Sequence, residues 1–188
     1  AVDETSMAGA NLLLANDIPV TTDSVRAYMQ MQRGGVTFSG GEPTVQAKAL
    51  LPLFHRLHEK GLHICLVTIC RIWHRDVEAL LQETDLVLLA VKELRSAQHE
   101  HITGRPNTQT LATAAWLEEN GRPFWLRYVL VPGLSDAEED LRALGEHFKN
   151  YKMIERVQLL PYHRLGVHKY VSLGWDYQLK DTKENTAE

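Results

Sequence analysis

The chain has 188 residues, of which 44% are hydrophobic and 23% charged. That is ordinary globular usage in a length that suits a single domain, spanning 1–188, with a substantial core. A net charge of -4 gives no electrostatic reason to expect nucleic acid or an anionic membrane as partner. No apolar run approaches the roughly 20 residues that span a bilayer, and the first residues lack the basic start of a signal peptide. The two cysteines, Cys65 and Cys70, form no disulfide framework, so the reducing cytoplasm is the expected compartment.

In chain order, an atypical N-terminal segment (1–20) precedes TTDSVRAYMQMQ, which reads as a helix capped by Thr21 or Thr22. VTFS then reads as a short strand running into Gly40-Gly41-Glu42-Pro43. VQAKALLPLFHRLHEKG has helical spacing and closes at Gly61, with Pro52 an internal conflict that predicts a kink or ragged start. LHICLVT and DLVLLAVK are continuous apolar strands separated by the helix HRDVEALLQET. NTQTLATAAWLEENG is a helix, PFWLRYVLV a strand, SDAEEDLRALGEHFK a helix capped by Ser135 or Asp136, and RVQLLPY a last strand. A polar tail, 176–188, is expected to fray.

Strands with little alternation, each followed by a helix, predict parallel pairing in an α/β fold. In such folds ligands gather where strands end, so the residues after each apolar run carry the functional signal. Two adjacent glycines bring a ligand close to the main chain, and the Glu42 carboxylate beside them can accept hydrogen bonds from an ammonium. The same residues also suit a tight strand-to-helix turn with an acid in the first turn of the helix. Arg127 sits among apolar neighbours and calls for an anionic partner.

The string GGVTFSGGEPTVQ resembles the segment that follows the cluster loop in radical S-adenosylmethionine enzymes, in particular the pyruvate formate-lyase activating enzymes. The resemblance continues through DLVLLAVKELRSAQHEHITGRPN, FWLRYVLVPGLSD and RVQLLPYHRLGVHKY. It implies a partial (β/α) barrel of parallel strands. It also implies an oxidoreductase chemistry in which S-adenosyl-L-methionine is reductively cleaved and hydrogen is taken from a glycine of a glycyl-radical enzyme such as pyruvate formate-lyase. Carried over by position, Gly40, Gly41 and Glu42 would hold the methionyl ammonium, with Thr68 nearby. Lys92 and Arg127 would lie near the carboxylate, and Leu160 and His163 near the nucleoside.

The sequence departs from that pattern in three places. The family holds its [4Fe-4S] cluster with three thiolates in a CxxxCxxC loop. Here the faintly similar Gly9-Ala10-Asn11-Leu12 would put Ala10, Leu14 and Asp17 at the ligand places. The strand that precedes the loop is missing or degenerate, no cluster is expected, and catalysis by this chain alone is not expected either. Val67 and Ala90 stand where the family carries aspartates near a monovalent cation, so no cation is expected. Cys65 reads as a core residue, and Cys70 as a thiol accessible from the ligand cleft. His55 and His58, or His99 and His101, could bind zinc but lack an obvious third ligand, so no metal site is assigned. An alternative function is a protein-binding module that keeps the partner-docking face without chemistry. The unpaired edge of VTFS and the leucines of AGANLLLAND suggest self-association.

Overall fold

The computed structural model describes residues 34–185. The sequence readings for residues 1–33, including the helix at TTDSVRAYMQMQ and the segment AGANLLLAND, lie outside the described residues. Five strands occur among the described residues: β1 (Gly35–Phe38), β2 (His63–Thr68), β3 (Leu86–Val91), β4 (Phe124–Leu130) and β5 (Ile154–Pro161). They are parallel, belong to one sheet and follow chain order, β1-β2-β3-β4-β5. The helices between them are α1 (Ala47–Glu59), α2 (Arg75–Gln82), α3 (Ser96–Thr103), α4 (Thr108–Glu119) and α5 (Glu138–Phe148), and α6 (Val167–Ser172) follows β5. This α/β connectivity is that of a partial (β/α) barrel. The chain divides into two compact units between Leu88 and Leu89.

In the first unit, β1 pairs with β2 from Gly35 opposite His63 to Phe38 opposite Leu66. A Cβ on Gly35 would fall 2.1 Å from the His63 carbonyl oxygen, so only glycine lets the strands approach this closely. Along β2, Ile64, Leu66 and Thr68 are buried while Cys65 and Val67 are only partly covered. α1 packs against both β2 and α2, burying Leu53, Phe54 and Leu57 of α1 and Val77, Leu80 and Leu81 of α2, with the Phe38 and Phe54 rings 4.6 Å apart. Period-2 strands and period-3.6 helices thus bring their apolar residues to one layer. A 3-10 turn, Pro43–Gln46, leads into α1, which runs on through Pro52 to Glu59.

In the second unit, β4 pairs with β5 from Phe124 opposite Ile154 to Leu130 opposite Pro161, with one irregularity between Phe124 and Trp125. Phe124, Leu126 and Tyr128 are buried, whereas Trp125, Arg127 and Val129 are partly open. The expected caps of α5 are corrected here. Its N-cap is Ala137, which makes no side-chain capping bond. Ser135 Oγ instead donates to Val129 O (2.7 Å) and accepts from Val131 N (3.0 Å), and Asp136 Oδ1 accepts from Gly133 N (2.8 Å). Both side chains are consumed in closing the turn after β4.

The tail is not frayed over its described part. Tyr162 N donates to Asn185 Oδ1 (2.6 Å), Arg164 N to Glu184 Oε1 (2.5 Å), and the Tyr162 and Tyr177 hydroxyls lie 2.6 Å apart. Burial, then that hydroxyl contact, raises the Tyr177 phenol to about 12. Among the described residues, no helix is long and apolar enough to cross a membrane.

Candidate functional site

The first unit supplies Gly40, Gly41, Glu42 and Thr68. The chain leaves β1 at Phe38, and Gly40 takes φ +129°, a backbone conformation that side chains rarely adopt. A Cβ on Gly40 or Gly41 would meet nothing within 4 Å, so both glycines border open space. Glu42 then turns its carboxylate toward the end of β2. Its Oε1 accepts from Thr44 N (3.1 Å), Thr44 Oγ1 (2.7 Å) and Thr68 Oγ1 (2.5 Å), and its Oε2 accepts from Ile69 N (3.0 Å). Thr68 Oγ1 in turn accepts from Cys70 N (2.7 Å). The turn and the ligand readings of this motif are therefore compatible. A carboxylate has about four acceptor sites, and the bonds crowd Oε1 while leaving capacity on Oε2. An ammonium fits that remaining position and the bare backbone beside it.

The second unit supplies Lys92, Arg127, Leu160 and His163. Lys92 follows β3 directly, Arg127 is in the middle of β4, Leu160 is near the end of β5, and His163 is exposed just after it. Burial, and then the charge of Arg127, lowers the Lys92 ammonium below its ordinary value of 10.5. Arg127 Nε is buried without a hydrogen-bond partner among the described residues. Two half-buried cations, with no carboxylate paired to either among the described residues, fit a small anion such as an amino-acid carboxylate.

Sequence reasoning missed a set of groups next to Lys92. Glu93 is fully buried and accepts from Tyr128 OH (3.0 Å) and Arg95 N (2.9 Å). Arg95 Nη2 reaches the buried Asp140 Oδ1 at 2.5 Å. Asn107 Nδ2 donates to the carbonyls of Glu93 (3.0 Å) and Leu94 (2.6 Å). Burial, then Glu93, raises the Asp140 carboxyl, and burial, then the bond to Glu93, raises the Tyr128 phenol. Apart from Arg95 N to Glu93, the contacts join residues well separated in sequence and leave no local signal.

Cys70 corrects another expectation. It is fully buried at φ +44°, and its Sγ lies 3.7 Å from Ile72 O, so it is not an accessible thiol. Of the two cysteines in this sequence, Cys70 is buried and Cys65 partly covered, so neither is assigned as a cluster thiolate. His58 lies between Glu83 (3.3 Å) and Asp85 (3.0 Å), and His99 Nδ1 is 2.7 Å from Arg105 O. Among the described residues, no group of three or more His, Cys, Asp or Glu could hold a metal ion.

Residues 17–144 match the profile described as the Radical SAM superfamily, and the chain belongs to that superfamily. It is 42% identical over 164 residues to the pyruvate formate-lyase-activating enzyme of Staphylococcus aureus (strain USA300), covering 84% of this chain and 65% of that protein. The chain thus spans just under two thirds of the curated relative's length. Its fold is similar to the crystal structure of a domain of pyruvate-formate lyase-activating enzyme from Bacteroides vulgatus ATCC 8482, with TM-score 0.66 and 22% identity over 82% of this chain and 86% of that one. It is also similar to Streptococcus suis SuiB bound to S-adenosylmethionine, with TM-score 0.60 and 16% identity over 79% of this chain and 36% of SuiB.

Proposed function

We propose that this chain is the S-adenosylmethionine-binding core of an activating enzyme for a glycyl-radical enzyme, pyruvate formate-lyase or a relative, working in the cytoplasm. Bound S-adenosylmethionine would supply the hydrogen-abstracting species in the parent oxidoreductase reaction. In this reading the backbone of Gly40 and Gly41 and the free side of the Glu42 carboxylate take the methionyl ammonium. Thr68 holds Glu42 in place. Lys92 and Arg127 take the carboxylate, and Leu160 and His163 border the nucleoside. The observation that carries it is the Glu42 carboxylate, fixed by Thr68 and Ile69 at the end of β2 beside two glycines that border open space.

With only two cysteines, this chain does not supply three cluster thiolates, and we assign it no catalytic turnover by itself. Losing chelation by an iron removes several kcal/mol of ligand binding. S-adenosylmethionine binding is therefore expected to be weak. Titration followed by amide NMR should perturb residues near 40–42, 92 and 127, and Arg127→Met should weaken the response. A titration that leaves those amides unmoved overturns the site, and micromolar affinity by calorimetry overturns the weight given to the iron.

One observation favours a second reading, a docking module without chemistry. Val157, Leu159, Leu165, Val171, Leu173 and Trp175 are each about half exposed or more, all within β5 and the segment after it. Capture of the purified glycyl-radical enzyme by a chain that shows no S-adenosylmethionine response selects this reading.

A further inference from the structure

The segments that leave β3, β4 and β5 at their C-terminal ends meet around a cavity of about 370 Å³ in the second unit. Ile102 of α3, Leu134 of the turn after β4, and Tyr170, Tyr177 and Leu179 after β5 form its apolar wall. His101 and Gln178 are its polar groups. Strand C-termini are where parallel α/β folds gather their ligands. None of the residues assigned above to S-adenosylmethionine lines this cavity.

Contacts between these segments hold the walls. The Gln98 amide of α3 donates to Leu134 O (3.2 Å). Tyr162, buried just after β5, brings its hydroxyl 2.6 Å from that of Tyr177. The Tyr170 and Tyr177 rings meet edge to face, 4.9 Å apart at 71°. A cavity whose shape is fixed in this way costs a ligand little ordering. Its lining residues carry no carboxylate, ammonium or guanidinium, so a charged guest would lose water without gaining an opposite charge. An apolar guest is favoured, and the tyrosine rings suit an aromatic one. The volume lies at the small end of the range for ligand sites, about 300–1,000 Å³. In the proposed function, hydrogen is taken from a glycine of a partner protein. A glycine has no side chain by which to be held, so its placement must come from the residues beside it. We propose that this cavity takes a large apolar side chain, aromatic by preference, next to that glycine in the partner. The inference rests on the proposed function and adds to it a subsite for the partner's peptide.

The test uses the full chain with isoleucine and leucine methyls labelled for NMR, titrated with acetyl-Gly-Phe-amide and with acetyl-Gly-Asp-amide. The Phe peptide should shift the Ile102 and Leu134 methyls, and the Asp peptide should bind about tenfold more weakly. Ile102→Trp, which fills the cavity, should abolish the Leu134 shift, whereas Ile102→Val should keep it. Leu134→Phe fills the cavity from another wall and replaces Ile102→Trp if thermal unfolding shows that variant unfolded. Methyls that the Phe peptide leaves unmoved, or that both peptides move equally, overturn the subsite. Toluene that shifts them where the Phe peptide does not marks a small-molecule cavity and overturns it too. S-adenosylmethionine added to the same sample separates the two readings. A response near 92 and 127 without a peptide response removes the subsite alone. A peptide response without an S-adenosylmethionine response keeps the subsite and removes the S-adenosylmethionine site.

Discussion

At the scale of single residues, Glu42 shows how one carboxylate can serve a turn and a ligand together. Four donors converge on it, and two come from the end of a neighbouring strand. An amide in its place can accept at one oxygen only and would aim its NH2 at a donor. Glu42→Gln should therefore lower stability by about 2 kcal/mol, against about 1 kcal/mol for Thr44→Val, which removes a single hydroxyl donor. Urea unfolding checks the order, and a larger loss for Thr44→Val would mean the carboxylate is not the hub. The sequence made Glu42 legible as a site candidate because glycines and an acid follow an apolar run. It said nothing of Glu93 or Asp140, because burial of an acid is decided by partners on other elements. Cys70 misled for the same reason: its position after a strand suggested access, but the bond from its N–H to Thr68 Oγ1 belongs to a turn that encloses it.

At the scale of elements, α1 carries two testable devices. Pro52 is exposed, lies six residues into the helix and lacks the N–H that would bond to the carbonyl of Lys48. The helix nevertheless runs on, because Leu53, Phe54 and Leu57 anchor it. Pro52→Ala restores the bond and should raise stability by about 1–3 kcal/mol in urea unfolding, and an unchanged or lower midpoint would contradict this. The second device is His58, which ties α1 to Glu83 and Asp85 in the connection from α2 to β3. Burial pushes the Asp85 carboxyl up, but bonds from His58 and Ile64 N outweigh it and hold the group below its ordinary 3.8. A carboxyl depressed in the folded state stabilises above its unfolded value, and that contribution disappears as pH falls through the folded one. Asp85→Asn should thus be less stable than wild type near neutral pH, with the difference shrinking below about pH 4; a constant difference would show that the charge is idle. β2 and β3 were legible because each is a nearly continuous apolar run, whereas β5, IERVQLLP, was legible only in its second half because Glu155 and Arg156 interrupt its start. α3 was not, because SAQHEHIT buries only His99, whose ring is held by Arg105 O rather than by an apolar face.

At the scale of the whole molecule, the distribution of exposed apolar side chains bears on association. β1, an edge strand among the described residues, is a weaker case than VTFS suggested, because Phe38 is buried and Val36 half-buried. The stronger case is the C-terminal region. α6 has six residues and buries none of them, too short to hold itself in water. It is steadied by Tyr170, whose ring lies 6.3 Å from Trp175 and 4.9 Å from Tyr177. Val171, Leu173 and Trp175 remain open to solvent, as do Val157 and Leu159 on β5. Each fully buried side chain of this kind gains about 1.5–3 kcal/mol, so pairing two copies of this surface is favourable once several are covered. In sedimentation over a range of concentrations, the weight-average mass should rise reversibly toward a dimer. Val171→Asp combined with Leu173→Ser should hold the chain monomeric at every concentration, with its thermal unfolding little changed because both side chains are at least half exposed and the ring contacts of Tyr170 are kept. A wild-type chain that stays monomeric at the highest concentrations, or a variant that associates as well as wild type, would rule out this surface as the contact.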